Sequence, residues 1–228
     1  MNNITVFFQQ PPIIGIIRGV SQKMLLPVLD TAVRAGLTTL EITLNTPSAL
    51  ELIHTAATHF QSTSVTIGAG TVCTRVEAEQ AISAGARFIV SPITNVEMIA
   101  FCTHNNIPVF PGALSPTEVY TAWSAGATMV KVFPVGSVGG ASYIRYLKGP
   151  FSEIPLLACG GVTPENMNDF FSAGASAITI GGNVFKTGWM EAGDLEAIFS
   201  AATAYFSPVA RLTPVTVKEA KNVKRPSP

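Results

Sequence analysis

SAGATMVKVFP, residues 124–134, decides the fold: a helical stretch of small residues stops at Gly126, and an apolar β-branched run begins within three residues. A glycine just past a helix adopts the left-handed conformation that closes its last turn, and a short Val-rich run is a buried strand. The segment is a helix-to-strand joint. Three others share its wording: RAGLTTLEIT at 34–43, SAGARFIVSP at 83–92 and SAGASAITIGG at 172–182. The glycines Gly36, Gly85, Gly126 and Gly174 are 49, 41 and 48 residues apart, each interval wide enough for two strand–helix units. Between them lie IIGIIRG at 13–19, VTIGAG at 65–70, PVFPG at 108–112 and PLLACGG at 155–161. Eight strands result, at 13–18, 39–44, 65–68, 88–91, 108–110, 129–133, 156–159 and 177–180. Eight short buried strands alternating with helices predict parallel pairing and right-handed crossovers, and eight is the number that closes: an α/β fold, the (β/α)8 TIM barrel. The rival, an open doubly wound sheet, calls for a glycine-rich dinucleotide turn after the first strand, and Arg18-Gly19-Val20 is no such turn.

Composition agrees with one large core. Of 228 residues 47% are hydrophobic and only 12% charged, and 14 basic residues balance 14 acidic ones. This excludes a disordered chain and a body built around nucleic acid. No apolar stretch reaches the roughly 18 residues of a membrane span, and the start carries no basic n-region, so a cytoplasmic protein without a membrane partner is expected. Cys73, Cys102 and Cys159 form no CxxC pair, which suits free thiols in a reducing compartment. The expected organisation is a single barrel domain over 1–207. Residues 208–228 hold five basic residues, one acid and four prolines, and read as a mobile tail.

In a barrel the chemistry sits at the C-terminal ends of the strands. Lys131, flanked by Met129, Val130, Val132 and Phe133, is the foremost candidate, because alternation puts it on one face with Met129 and Phe133. If that face points inward, the apolar surroundings favour a neutral amine able to attack a carbonyl. The competing reading is a strand-end lysine whose stem packs while its head reaches water. Glu41 shares a face with Thr39 and Thr43, opposite Leu40, Ile42 and Leu44; it is a proton shuttle or else a structural ion-pair partner of Lys131 or Arg18. Arg18, ending the first strand, is a cation that could clamp a carboxylate or phosphate or simply neutralise Glu41. Gly160-Gly161, followed by Thr163-Pro164-Glu165 as a capped helix start with an N1 proline, and Gly181-Gly182-Asn183 follow strands seven and eight. Barrels often hold phosphate at those two loops, on backbone N–H groups that glycine leaves accessible, although glycines also serve tight turns. No histidine sits at a strand end, so a metal held by histidines is not expected.

These residues carry a resemblance. IIRG at 16–19, EITLNTP at 41–47, IGAGTV at 67–72, SP at 91–92, PG at 111–112, KVFP at 131–134, GGVTPEN at 160–166 and GGN at 181–183 match, in order and spacing, the class I 2-keto-3-deoxy-6-phosphogluconate / 4-hydroxy-2-oxoglutarate aldolases. The resemblance covers nearly all of residues 13–206. It implies that Lys131 is the Schiff-base lysine, Glu41 the general acid/base and Thr71 a partner of the substrate's carboxylate end. Arg18, Asn45, Pro92, Phe133 and Cys159 then stand at substrate-contact positions, and Gly160, Gly161, Gly181, Gly182 and Asn183 at phosphate contacts. A homotrimer, a small 2-oxo acid substrate, no cofactor and no metal are implied as well. Asn45 replaces an arginine usual in the phosphogluconate members, Cys159 a threonine and Asn183 a serine; EITLNTP and GGVTPEN are instead similar to the 6-phosphogalactonate branch. A phosphosugar isomerase or epimerase on the same barrel would share the phosphate loops but not need Lys131. A non-catalytic ligand-binding homologue would not need both Lys131 and Glu41.

Overall fold

The computed structural model describes residues 12–206. Its strands are β1 (Ile13–Ile17), β2 (Thr39–Thr43), β3 (Thr66–Gly70), β4 (Ile89–Val90), β5 (Val109–Phe110), β6 (Gly112–Ala113), β7 (Val130–Val132), β8 (Leu156–Ala158) and β9 (Ala177–Ile180). The helices are α1 (Gln22–Arg34), α2 (Ala49–His59), α3 (Arg75–Ser83), α4 (Val96–His104), α5 (Pro116–Ser124), α6 (Ala141–Lys148), α7 (Met167–Ser172), α8 (Thr187–Ala192) and α9 (Leu195–Thr203). Every pairing is parallel, in the order β5-β4-β3-β2-β1-β9-β8-β7-β6.

The two ends of that order, β5 and β6, are separated in sequence by Pro111 alone. They are two halves of one strand, so the sheet closes into a barrel of eight positions. Here the single fifth strand expected at 108–110 is corrected. Proline has no N–H to give to a ladder, so the strand breaks there. Its first half pairs with β4 and its second with β7, while the Pro111 carbonyl still accepts from the Lys131 N–H at 2.9 Å.

Alternation along the strands separates two cores. Leu40, Ile42, Val130, Val132, Ile178 and Ile180 face outward into the large layer packed under the helices. Ile14, Phe88, Val90, Phe110, Met129, Leu157 and Ala177 form a second, smaller cluster inside the barrel. Gly68 makes room for it: a Cβ there would lie 2.5 Å from the Phe88 ring. The four joint glycines have φ between 101° and 113°, as the helix-to-strand reading requires. Capping boxes Thr74/Glu77 and Ser115/Glu118 start α3 and α5, the latter with Pro116 in its first turn.

The helix start expected at Thr163-Pro164-Glu165 needs a second correction, because α7 begins only at Met167. The Asn166 side chain accepts from the Thr163 N–H at 2.8 Å and donates to the Gly161 carbonyl at 2.9 Å, closing a local turn that competes with helix. The basic stretch 208–228 lies outside the described residues. Among those described, no helix is long and apolar enough to cross a membrane.

Candidate active site

Above the apolar floor of the barrel the inward positions turn polar. Lys131 on β7, two residues after Met129, is only 6% exposed, and its Nζ lies 5.0 Å from the centroid of the Phe133 ring. Glu41, at the centre of β2 and level with Ile16 on β1 and Gly68 on β3, is 1% exposed. Its carboxyl occupies the space that Gly70 leaves open. A Cβ at position 70 would overlap Oε1 and lie 2.7 Å from the carboxyl carbon. Its Oε2 is buried and makes no hydrogen bond among the described residues. Burial pushes this carboxyl up from the ordinary 4.5 to about 7, against the opposing pull of the Lys131 and Arg18 charges. A carboxyl group titrating near neutrality can both take and give a proton at physiological pH.

Cys159 follows β8, is 4% exposed and lies near Lys131 and Thr179. Burial pushes its thiol up, with the Lys131 charge pulling the other way. Thr179, the third residue of β9, is thus part of the cluster, and the sequence reading passed over it. Its signal was available: a lone hydroxyl at an inward position of the last strand, in phase with Ala177. Gly70 was also missed as a functional position, since a glycine in a strand reads first as a bend or bulge.

The remaining predicted residues form the rim. Arg18 is exposed just past β1, its Nη2 3.4 Å from Thr71 Oγ1. Thr71 sits at φ 60°, a left-handed conformation that costs a β-branched residue strain. Asn45 is exposed in the turn after β2. Pro92 and Phe133 line a cavity of about 370 Å³ with Gly112, Leu114 and Thr117. A Cβ at Gly112 would collide with the Pro92 carbonyl, so the loop after β4 touches the start of β6 there.

Gly160 and Gly161 have φ of 93° and 81°, and the Gly136 N–H donates to the Gly160 carbonyl at 3.0 Å, adding a third glycine loop beside them. The Asn183 amide donates to the Val162 carbonyl at 3.2 Å, as does the Tyr205 hydroxyl at 3.1 Å. This ties the loop after β9 to the loop after β8. Gly182 has nothing within 4 Å of where its Cβ would stand. Among the described residues no group of three or more His, Cys, Asp or Glu could hold a metal ion.

A parallel barrel with a buried lysine and a near-neutral carboxyl group sunk into the same end is the framework of an enzyme acting on carbonyl compounds. Comparison makes the class specific. The family model "KDPG and KHG aldolase" matches residues 4–201, and the chain belongs to that aldolase family of lyases. It is 31% identical over 210 residues to a probable 2-dehydro-3-deoxy-6-phosphogalactonate aldolase of Rhizobium meliloti, covering 92% of this chain and 98% of the relative. It is 33% identical over 178 residues to the 2-dehydro-3-deoxy-6-phosphogalactonate aldolase of Escherichia coli, covering 78% and 86%. A solved KDPG aldolase from Legionella pneumophila, with pyruvate captured as a covalent carbinolamine intermediate, superposes with a TM-score of 0.80 at 26% identity, covering 87% of this chain and 95% of that one.

Proposed function

We propose that the chain cleaves 2-keto-3-deoxy-6-phospho sugar acids to pyruvate and glyceraldehyde 3-phosphate, with Lys131 as the Schiff-base residue and Glu41 as the general acid/base. The observation that carries this reading is the pairing of a buried strand lysine with a buried carboxyl group that titrates near 7. The Lys131 amine adds to the C2 ketone and the resulting carbinolamine loses water, forming an iminium. That iminium accepts the electron pair of the C3–C4 bond as it breaks. Glu41, directly or through one water, removes the C4 hydroxyl proton, so the aldehyde departs and an enamine remains. The same carboxyl then protonates C3, and hydrolysis frees pyruvate and the amine. Cys159, near Lys131, is assigned to the pocket that would hold C2.

Gly160, Gly161, Gly181, Gly182 and Asn183 are assigned to the phosphate, and Arg18 and Thr71 to an anionic end of the substrate. Pro92 and Phe133 are assigned to its carbon chain. A distant phosphate supplies binding energy that places C4 for cleavage. The fine specificity rests on Asn45, which is short and neutral, and Arg18, which is the cation at that rim. Both C4 epimers, gluconate and galactonate type, should therefore be cleaved with kcat/KM within about 100-fold, and 4-hydroxy-2-oxoglutarate, lacking phosphate, more slowly. Side-by-side kinetics with pyruvate detection tests this. Discrimination far beyond 100-fold in favour of the gluconate epimer would contradict the role given to Asn45.

A homotrimer in the cytoplasm completes the proposal. Tyr146 is 77% exposed on α6, and the half-exposed Tyr120 on α5 stacks on Phe151. Such an apolar surface supports burial between copies of the chain. Light scattering should give three times the chain mass, and a monomer would refute it.

A further inference from the structure

Arg18 is exposed and follows its strand, so nothing in β1 itself holds it in place. What fixes it is a chain of hydrogen bonds from the neighbouring strand. The Gly19 N–H donates to Thr46 Oγ1 at 2.9 Å, and Thr46 Oγ1 lies 3.1 Å from Thr43 Oγ1. Thr46 is 3% exposed and Thr43 fully buried. Thr46 is itself pinned, its N–H donating to the Thr43 carbonyl at 2.9 Å and its carbonyl accepting from Ala49 at the start of α2 at 3.1 Å. Thr43 stands two residues beyond Glu41 on the same inward face of β2. Gly19 has φ 72°, and a Cβ there would meet nothing within 4 Å. It is therefore the backbone turn, not crowding, that calls for glycine, and that turn is what Thr46 grips.

We infer that Thr46 is a positioning residue: through the Gly19 N–H it sets where Arg18 meets the anionic end of the substrate, and through Thr43 it ties that point to the strand carrying Glu41. Thr71 Oγ1, 3.4 Å from the guanidinium, is a second contact on Arg18, made at the side chain rather than the backbone. The inference rests on the assignment of Arg18 to a substrate anion. A merely structural Thr46 would affect folding alike with or without Arg18, whereas a positioning Thr46 matters only while Arg18 is present.

The test is a double-mutant cycle. Thr46→Val keeps the shape and removes the acceptor, and KM for the phosphorylated substrate should rise about ten-fold with kcat within about two-fold. Thr46→Ser restores the acceptor and should return KM to the wild-type value. In an Arg18→Ala background Thr46→Val should change KM by less than about two-fold. The pyruvate concentration giving half-maximal borohydride labelling is measured in parallel. A rise there too places the carboxylate on Arg18, and a rise confined to the phosphorylated substrate places the phosphate on it. If the valine variant does not fold, Thr46→Ala takes its place with the same expectation. An equal rise in both backgrounds, a fall in kcat at constant KM, or no rescue by serine overturns the inference while leaving the Schiff-base reading intact. A wild type that binds no pyruvate overturns both.

Discussion

Glu41 and Ile42 are neighbours in sequence, equally buried, and belong to different regions of the molecule. Ile42 points into the layer between barrel and helices, where each apolar side chain is surrounded by others and contributes stability. Glu41 points into the barrel, where a small apolar floor gives way to a lysine, a thiol, a threonine and a carboxyl oxygen with no hydrogen-bond partner among the described residues. A fully buried carboxyl group costs free energy unless it is paired. The outer layer therefore holds the fold, and the upper interior spends some of that stability on chemistry.

The sharpest way to break this contrast is to change the two neighbours separately. Glu41→Gln keeps the shape but not the base, and turnover should fall by about 100-fold or more, while pyruvate still labels Lys131. Ile42→Ala should leave kcat within a few-fold and lower unfolding free energy by about 2–5 kcal/mol. Denaturant melts and steady-state kinetics on both variants decide it, and an inactive Ile42→Ala or an active Glu41→Gln would dissolve the distinction.

Two glycines on β3 sharpen it further. Gly70→Ala puts a methyl group onto the Glu41 carboxyl, and kcat should drop by about ten-fold or more, since small misplacements of a catalytic group are costly. Gly68→Ala presses on the Phe88 ring instead, and should cost about 1–3 kcal/mol of stability with a smaller effect on rate. Equal losses of activity in the two would show that β3 has no such division.

The third consequence is a pH dependence. Because the folded chain raises the Glu41 carboxyl from 4.5 to about 7, it binds that proton more tightly than the unfolded chain does. No penalty exists below pH 4.5; it grows between 4.5 and 7 and is complete above, reaching about 3 kcal/mol. Glu41→Gln should therefore stabilise the protein at pH 8 and add little at pH 4, as read by chemical denaturation at the two values. In the wild type kcat/KM should decline on the acid side with a midpoint near pH 7, where the free enzyme's base gains its proton as the pH is lowered. A stability gain independent of pH would remove burial as the cause of the shift.

The same two regions explain what the sequence discloses. Each of the eight expected strands overlaps an observed one, because the outer face repeats with period two and the joint glycines punctuate it, whereas the half-strand Gly112–Ala113 was not foreseen. Lys131 and Glu41 stood out because charge is foreign to that pattern. Thr179 did not, because a threonine is an ordinary strand residue until its neighbours across the barrel are known. The Pro111 break, the late start of α7 and the hydrogen bonds linking Thr43, Thr46 and Gly19 depend on partners far away in sequence or on competing local turns. Gly70 reads as backbone until the carboxyl beside it is placed.

The central claim is that Lys131 forms the iminium. Incubation with pyruvate and borohydride, followed by peptide mass spectrometry, measures it directly. One reduced pyruvate adduct on the peptide containing Lys131, absent in Lys131→Ala together with all cleavage, is the predicted result. An active wild type that takes up no adduct, or an adduct on another lysine that persists with activity in Lys131→Ala, would contradict it.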